Sequence, residues 1–251
     1  VTRGDTQLAR NIQQIIGYCL TGLTVEHAMF FLYGSGRNGK GVLVNTIFKL
    51  MGGYAKTADM QTFTDTPTPQ HLAFLAVLAQ ARLVTGSETE AGRAWAESKI
   101  KAFTGADPLI ANFMRTNPFE FIPKFKILIL GNNQPVIKNV DEAIKRRINI
   151  IPFLNQISIE DRDMFLEERM EKEKPAILRW AIDGCLDWQE NGLMRAQSVT
   201  DATQGYFDEQ ELVKVWIAEK CKTGPRHEDA PAALYDSWSK WALAAGERPM
   251  S

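Results

Sequence analysis

Apolar residues at Leu8, Ile12, Ile15, Ile16 and Cys19 recur at close to helical spacing and give way to Gly22, which predicts a helix over residues 8–20. The pattern then changes. Met29-Phe30-Phe31-Leu32-Tyr33 is a continuous apolar run ended abruptly by Gly34, as expected of a buried strand feeding a loop. From Lys40 a helical period resumes with Leu43, Ile47, Leu50 and Met51 on one side, and Gly52-Gly53 closes it. Residues 62–69, rich in Thr, Asp and Pro, read as a loop leading into an Ala-rich helix over 71–81. Leu83-Val84-Thr85 and Ile127-Leu128-Ile129-Leu130 have the character of strands covered on both faces. Between them lie a helix over about 91–103 and two β-prone pieces, 109–114 and 119–122, joined as a hairpin through Arg115-Thr116-Asn117-Pro118. A last strand, Ile148-Asn149-Ile150-Ile151, stops at Pro152, and helical patterns such as 164–170, 177–188 and 212–221 dominate the remainder of the chain.

Strands alternate with helices only in the front half, which predicts an α/β core with a parallel sheet. The expected division is an N-terminal helical segment over 1–27, a core over 28–153 and a helical region over 154–251. A length of 251 residues suits one large domain, or a core with a smaller appendage. With 29 Lys+Arg against 30 Asp+Glu the formal charge is −1, so any nucleic-acid contact must be local. Cys19, Cys185 and Cys221 lack paired spacing and read as packing residues of a reducing, cytoplasmic compartment. No apolar run approaches the ~20 residues that a bilayer span needs. Val1-Thr2-Arg3-Gly4-Asp5 has neither an apolar signal core nor an initiator Met, so the chain reads as a piece of a longer protein.

The candidate chemistry starts where the first strand ends. Gly34-Ser35-Gly36-Arg37-Asn38-Gly39-Lys40 has the spacing of a phosphate-binding loop between strand and helix, with Gly41 and Val42 opening the helix. Glycines allow the tight turn that aims backbone N–H groups at an anion, and Lys40 can reach the β- and γ-phosphates of ATP. Gly41 stands where a Ser or Thr hydroxyl usually holds Mg2+. Past the strand at 83–85 come Glu88 and Glu90, carboxylates placed for a metal ion or an attacking water, with Glu88 first choice for the metal. Asn132, in Gly131-Asn132-Asn133-Gln134-Pro135, is a candidate amide sensor of the γ-phosphate, although Asn-Asn-Gln-Pro is equally good turn chemistry. Arg146 and Arg147 precede the last strand; in a ring of subunits they would reach a neighbour's γ-phosphate.

This order of parts resembles the superfamily 3 helicases, in the phage and plasmid primase-helicase branch. The residues that carry the resemblance are Gly34-Ser35-Gly36-Arg37-Asn38-Gly39-Lys40-Gly41, Ser87-Glu88-Thr89-Glu90, Lys101-Ala102-Phe103-Thr104-Gly105-Ala106-Asp107, Phe119-Glu120-Phe121-Ile122-Pro123-Lys124-Phe125-Lys126, Asn132-Asn133-Gln134-Pro135, and Arg146-Arg147 before Ile151-Pro152-Phe153. The resemblance implies a P-loop, AAA+-like core with a helical or winged-helix-like tail, ATP and Mg2+ as cofactors, and a homo-oligomeric ring, taken as a hexamer. It further implies single-stranded or forked DNA as partner and a primase domain upstream. Lys40 and Glu88 would then serve the two nucleotide motifs, Asn132 the sensor, and Arg147 with Arg146 the finger acting across a subunit boundary. Gly41 departs from the family pattern, as does Asn112, which stands where a basic residue is expected.

The segment from Lys99 to Lys126 is locally basic and interleaved with Phe113, Phe119 and Phe121, a composition suited to nucleic acid. Lys101, Arg115 and Lys124 are its candidate phosphate contacts, whereas alternation favours Phe119 and Phe121 as core. Two other functions fit the loop: a P-loop kinase acting on a small substrate, and a scaffold that binds nucleotide without hydrolysing it.

Overall fold

The computed structural model describes residues 2–66, 72–88, 93–224 and 227–245, with the backbone alone described at Glu88. In chain order the elements are α1 (Thr6–Cys19), β1 (Met29–Tyr33), α2 (Lys40–Met51), β2 (Ala55–Thr57), α3 (Leu72–Leu78), β3 (Leu83–Glu88), α4 (Glu97–Thr104), β4 (Leu109–Ala111), β5 (Phe119–Phe121), β6 (Lys126–Gly131), α5 (Glu142–Arg147), β7 (Ile148–Pro152), α6 (Leu166–Lys172), α7 (Lys174–Asn191), α8 (Gln197–Lys220) and α9 (Pro231–Ala244). Five strands form one parallel sheet in the order β2-β3-β6-β1-β7, and β4-β5 is a separate antiparallel hairpin. This is the expected α/β, P-loop-type core. The strand β1, which delivers the glycine loop, lies inside the sheet between β6 and β7.

Covered on both faces, β1, β6 and β7 are largely apolar; Met29, Phe30, Phe31, Ile127, Ile129, Ile148 and Ile150 are all buried, with Lys126 and Asn149 as buried polar exceptions. At the β7 edge, the Ile150 N–H donates to Thr203 Oγ1 at 3.0 Å, so a backbone group that an edge strand would leave bare is satisfied by α8. On one face, Leu8, Ile12, Ile15, Ile16 and Cys19 of α1 join Val44 and Ile47 of α2, Leu32, Leu128 and Ile151 in one core cluster. Each such side chain, fully buried, contributes roughly 1.5–3 kcal/mol.

The first helix and α7 touch backbone to backbone. A Cβ on Gly17 would lie 2.2 Å from the Cys185 nitrogen, and one on Gly184 would lie 2.3 Å from the Gln13 carbonyl oxygen. Around that contact Arg10 grips Asp187 with two hydrogen bonds of 2.7 and 2.5 Å, Gln14 donates to the same carboxylate at 2.8 Å, and the Tyr18 and Trp188 rings meet at 4.6 Å. Because α1 and α7 are packed this way, the first compact unit runs from Val1 to Thr203, past the division near Phe153 that strand alternation suggests. Residues 204–251 form a second unit. In it Trp238 lies between Trp216 and Trp241, at 6.0 and 5.8 Å between ring centroids. Among the described residues no strand follows β7, so the tail is helical and shows no wing.

Two expectations are corrected, and one strand went unanticipated. The helix anticipated over about 91–103 begins at Glu97, because the preceding backbone is used elsewhere: the Trp95 N–H donates to Val136 O at 2.9 Å and Trp95 bridges Thr64. The Ala-rich helix ends at Leu78 rather than 81. Strand β2 lacks any apolar run to announce it, and is held by pairing with β3.

Candidate functional site

After Tyr33 the chain must reverse before Lys40 starts α2. Gly36 (φ 96°), Arg37 (φ 54°) and Gly39 (φ 84°) provide the reversal from the left-handed region, which lets consecutive N–H groups face one side as an anion-binding concavity. Gly34 is required for a different reason: a Cβ there would sit 2.3 Å from Phe153 O and 2.4 Å from Asn38 Nδ2. The loop is anchored to the chain leaving β7. Buried Asn38 donates from Nδ2 to Phe153 O at 2.7 Å, Phe153 N–H donates to Tyr33 O at 2.7 Å, Ile157 N–H donates to Arg37 O at 2.8 Å, and Gln156 Nε2 donates to Ser35 Oγ at 2.7 Å.

The loop borders a cleft of about 570 Å³, within the usual range for a ligand pocket. Residues Gly36, Arg37, Asn38, Gly39, Lys40, Gly41 and Val42 form one wall, and Ser87, Leu130, Gly131, Asn132 and Asn133 another. Lys40 is 5% exposed; its ammonium donates to Gly34 O and, at 3.3 Å, to Asn132 Oδ1. Burial holds its pKa below the ordinary lysine value. The register places Glu88 of β3 beside Gly131 of β6, one residue before Asn132, so three strand ends converge at the cleft. The side chain of Glu88 and the whole of Glu90 lie outside the described residues.

A concave row of amides and a buried ammonium suit a polyphosphate. Among the described residues no group of three His, Cys, Asp or Glu could hold a metal by itself. Mg2+ keeps several waters and is held largely by phosphate oxygens plus one or two protein groups, and the amide side chains lining this cleft carry hard oxygen donors. The residues present therefore fit a magnesium nucleotide.

The candidate arginines Arg146 and Arg147 lie at the opposite end of the sheet. Arg146 and Arg147 close α5 immediately before β7 begins, whereas the loop follows the end of β1, and the two strands are parallel. A five-residue strand puts roughly 16 Å between those ends. Arg146 is exposed, with Nε donating to Glu142 O at 3.1 Å. Arg147 is half-buried and donates to Thr104 Oγ1 at 3.1 Å and Ala143 O at 2.9 Å. Lys101 on α4 pairs with Asp141, the N-cap of α5, so its charge is already partnered. Arg115 is exposed in the turn of the β4–β5 hairpin at φ 61°, and Lys124 is exposed where the hairpin rejoins β6. The hairpin aromatics are not core: Phe119 and Phe121 are half-buried, and Phe113, 51% exposed, stacks on Phe119 at 5.8 Å.

Sequence reasoning missed Asn45, Asn133 and Glu167 as cleft residues. Asn45 had a readable signal, lying one helical turn after Gly41. Glu167 had none, because α6 reaches α2 only through tertiary packing, where Glu167 pairs with Lys49 at 3.4 Å.

Residues 32–147 match a family described as a family of unknown function, DUF5906. The chain is 25% identical over 234 residues to a protein of Acanthamoeba polyphaga mimivirus named "Putative helicase", covering 86% of this chain and 24% of that protein. It is 23% identical over 243 residues to a "Putative helicase" of Frog virus 3 (isolate Goorha), covering 87% of this chain and 25% of that protein. It thus spans about a quarter of the length of these relatives. Among solved structures, an apo form of the NrS-1 C-terminal region matches with a TM-score of 0.56 at 12% identity, over 83% of this chain and 48% of that one. A second apo structure of that region matches with a TM-score of 0.53 at 14% identity, over 96% of this chain and 64% of that one. The chain is therefore similar in sequence to two viral proteins named as putative helicases, and in fold to the NrS-1 C-terminal region.

Proposed function

We propose that this segment is the ATP-driven motor of a superfamily 3 helicase, which hydrolyses ATP between the subunits of a ring and moves on single-stranded or forked DNA. The observation that carries the reading is the buried Lys40 ammonium, set among glycine-loop amides and touching Asn132. In this reading the loop amides and Lys40 bind and neutralise the phosphate tail, and Asn132 orients the attacking water. Glu88 serves as the carboxylate for the metal or the water. Bound Mg2+ would supply further positive charge against the β- and γ-phosphates.

The separation between arginines and loop supports the ring. Within one chain, Arg146 and Arg147 stand a strand's length from the cleft, so either of these two would meet a γ-phosphate from a second copy. Such a contact joins unlike surfaces head to tail, and a head-to-tail contact closes into a ring when the rotation permits. Exposed Arg115, Lys124 and Phe113 of the hairpin and its exit offer cations and an aromatic face to a nucleic-acid strand.

The test is ATP turnover with and without single-stranded DNA. Wild type is expected to be stimulated by DNA, and Lys40→Ala to lose both nucleotide binding and turnover. Loss of the arginine finger should lower turnover by roughly a thousandfold or more while nucleotide still binds, in Arg146→Ala, Arg147→Ala or both. An equal mixture of Lys40→Ala and Arg147→Ala chains should recover about a quarter of the sites if subunits mix at random. Nucleotide binding without turnover would instead identify a scaffold, and DNA-independent transfer to a small acceptor a kinase.

A further inference from the structure

We propose that Asn45 supplies the protein oxygen toward magnesium that Gly41 cannot. The inference rests on the nucleotide reading above and concerns the same cleft. Gly41, the residue after the loop lysine, has no side chain, and a Cβ built there meets nothing within 4 Å. Neither crowding nor a left-handed backbone requires glycine at this position, so the helix start leaves a pocket of free space.

Asn45 faces that space. It lies four residues later on α2, which puts it on the same helical face about 6 Å further along the axis. Side chains on a helix lean toward its N-terminus, so the surface that Asn45 covers is the turn carrying Gly41. Both residues line the cleft. Of the neighbouring amides, that of Asn38 is committed to Phe153 O and that of Asn132 to Lys40. The Asn45 amide, exposed to the cleft, makes no hydrogen bond among the described residues. An amide oxygen is a hard, neutral donor of the kind Mg2+ accepts, directly or through one of its waters. A longer side chain one turn down can thus replace a short one at the helix start, provided that the first position stays bare.

The test measures nucleotide affinity by calorimetry, using a slowly hydrolysed ATP analogue in Mg2+ and in EDTA. It compares the wild-type chain, Asn45→Ala, Gly41→Thr and the double variant. Alanine at an exposed helix position favours folding, and a thermal melt of each variant checks this. Asn45→Ala is expected to lose about tenfold of the magnesium-dependent affinity and to leave the EDTA affinity unchanged. Gly41→Thr should restore the loss in the double variant, because it returns a hydroxyl to open space. Equal weakening in both buffers would make Asn45 a nucleotide contact and overturn the assignment. No change in either buffer would overturn it as well. A wild-type chain that binds no nucleotide in either buffer would sink both this inference and the nucleotide reading.

Discussion

Replacing Gly34 by Ala tests whether the loop geometry, rather than its composition, makes the site. The added carbon would stand 2.3 Å from Phe153 O and 2.4 Å from Asn38 Nδ2, against the 3.5 Å or so of an ordinary carbon contact. About 1 Å of movement is needed, and neither neighbour yields easily. The Phe153 peptide is held by its own N–H on Tyr33 O, and Asn38 is 2% exposed and bonded to that same carbonyl. Losing the Asn38 bond costs about 1 kcal/mol and overpacking about 1–3 kcal/mol more, so the expected destabilisation is about 2–4 kcal/mol. At about 2–4 °C per kcal/mol for a chain of this size, the melting temperature should fall by roughly 4–16 °C. Each loop amide drawn away from a phosphate loses a charge-assisted bond of about 1.5–3 kcal/mol, which is roughly ten- to a hundredfold in affinity. Gly41→Ala is the matched control: its Cβ meets nothing, and alanine gains up to about 1 kcal/mol in a helix. Thermal melts of both variants, and a nucleotide titration of Gly34→Ala, decide the matter. A Gly34→Ala chain that melts and binds like wild type would refute the claim that Phe153 sets the position of the loop.

Gly184→Ala should lower the melting temperature by several degrees despite the better helix propensity of alanine, because its Cβ would fall 2.3 Å from Gln13 O and force α1 off α7; calorimetric unfolding reads this. Lys126 is buried, donates to Thr21, Leu23 and Lys124 carbonyls and sits 4.9 Å from the Tyr18 ring centroid, and burial pushes its pKa down to about 8. Between pH 8 and 9 the folded chain gives up this proton while the unfolded chain keeps it, so stability should rise with pH by up to about 1.4 kcal/mol per unit. Above pH 9 the Cys19 thiol, raised by burial to about 11, works in the opposite direction. Lys126→Met should remove the rise in denaturant melts at pH 8 and 9, and an unchanged slope would clear Lys126 of the effect. The hydrogen bonds from Arg10 hold the Asp187 carboxyl well below the usual carboxylate range. Its stabilisation is complete above about pH 4 and is lost as pH falls, so Asp187→Asn should destabilise the chain at pH 7 and flatten the acid limb of its stability profile.

What was legible in the sequence was local. Strand β1, the loop and α2 form a contiguous stretch whose glycines, apolar run and helical period each occupy their own residues, and the expected limits at Met29, Tyr33, Lys40 and Met51 match the structure. The hairpin was legible as well, though its strands stop at Ala111 and Phe121 rather than at 114 and 122. Long-range contacts were not legible. Trp95 reads as part of a helix until its backbone is claimed by Thr64 and Val136. Strand β2 is a strand because β3 offers it an edge. Gly17 and Gly184 carry no apolar side chain to mark them, yet they are where α1 and α7 meet backbone to backbone. Within the site, Lys40 and Asn132 could be named from spacing, whereas Glu167 reaches the cleft only because α6 folds back onto α2.

The anchoring of the glycine loop has a consequence for engineering. The motif is commonly treated as a portable cassette of strand, loop and helix. Here one residue outside that cassette, Phe153, takes a hydrogen bond from Asn38 on its carbonyl, gives one from its N–H to Tyr33 and leaves no room beside Gly34. The smallest transplantable module is therefore two separate segments, residues 29–51 together with β7 and its exit. A chimera that carries only the first onto a foreign sheet would inherit the motif without its curvature.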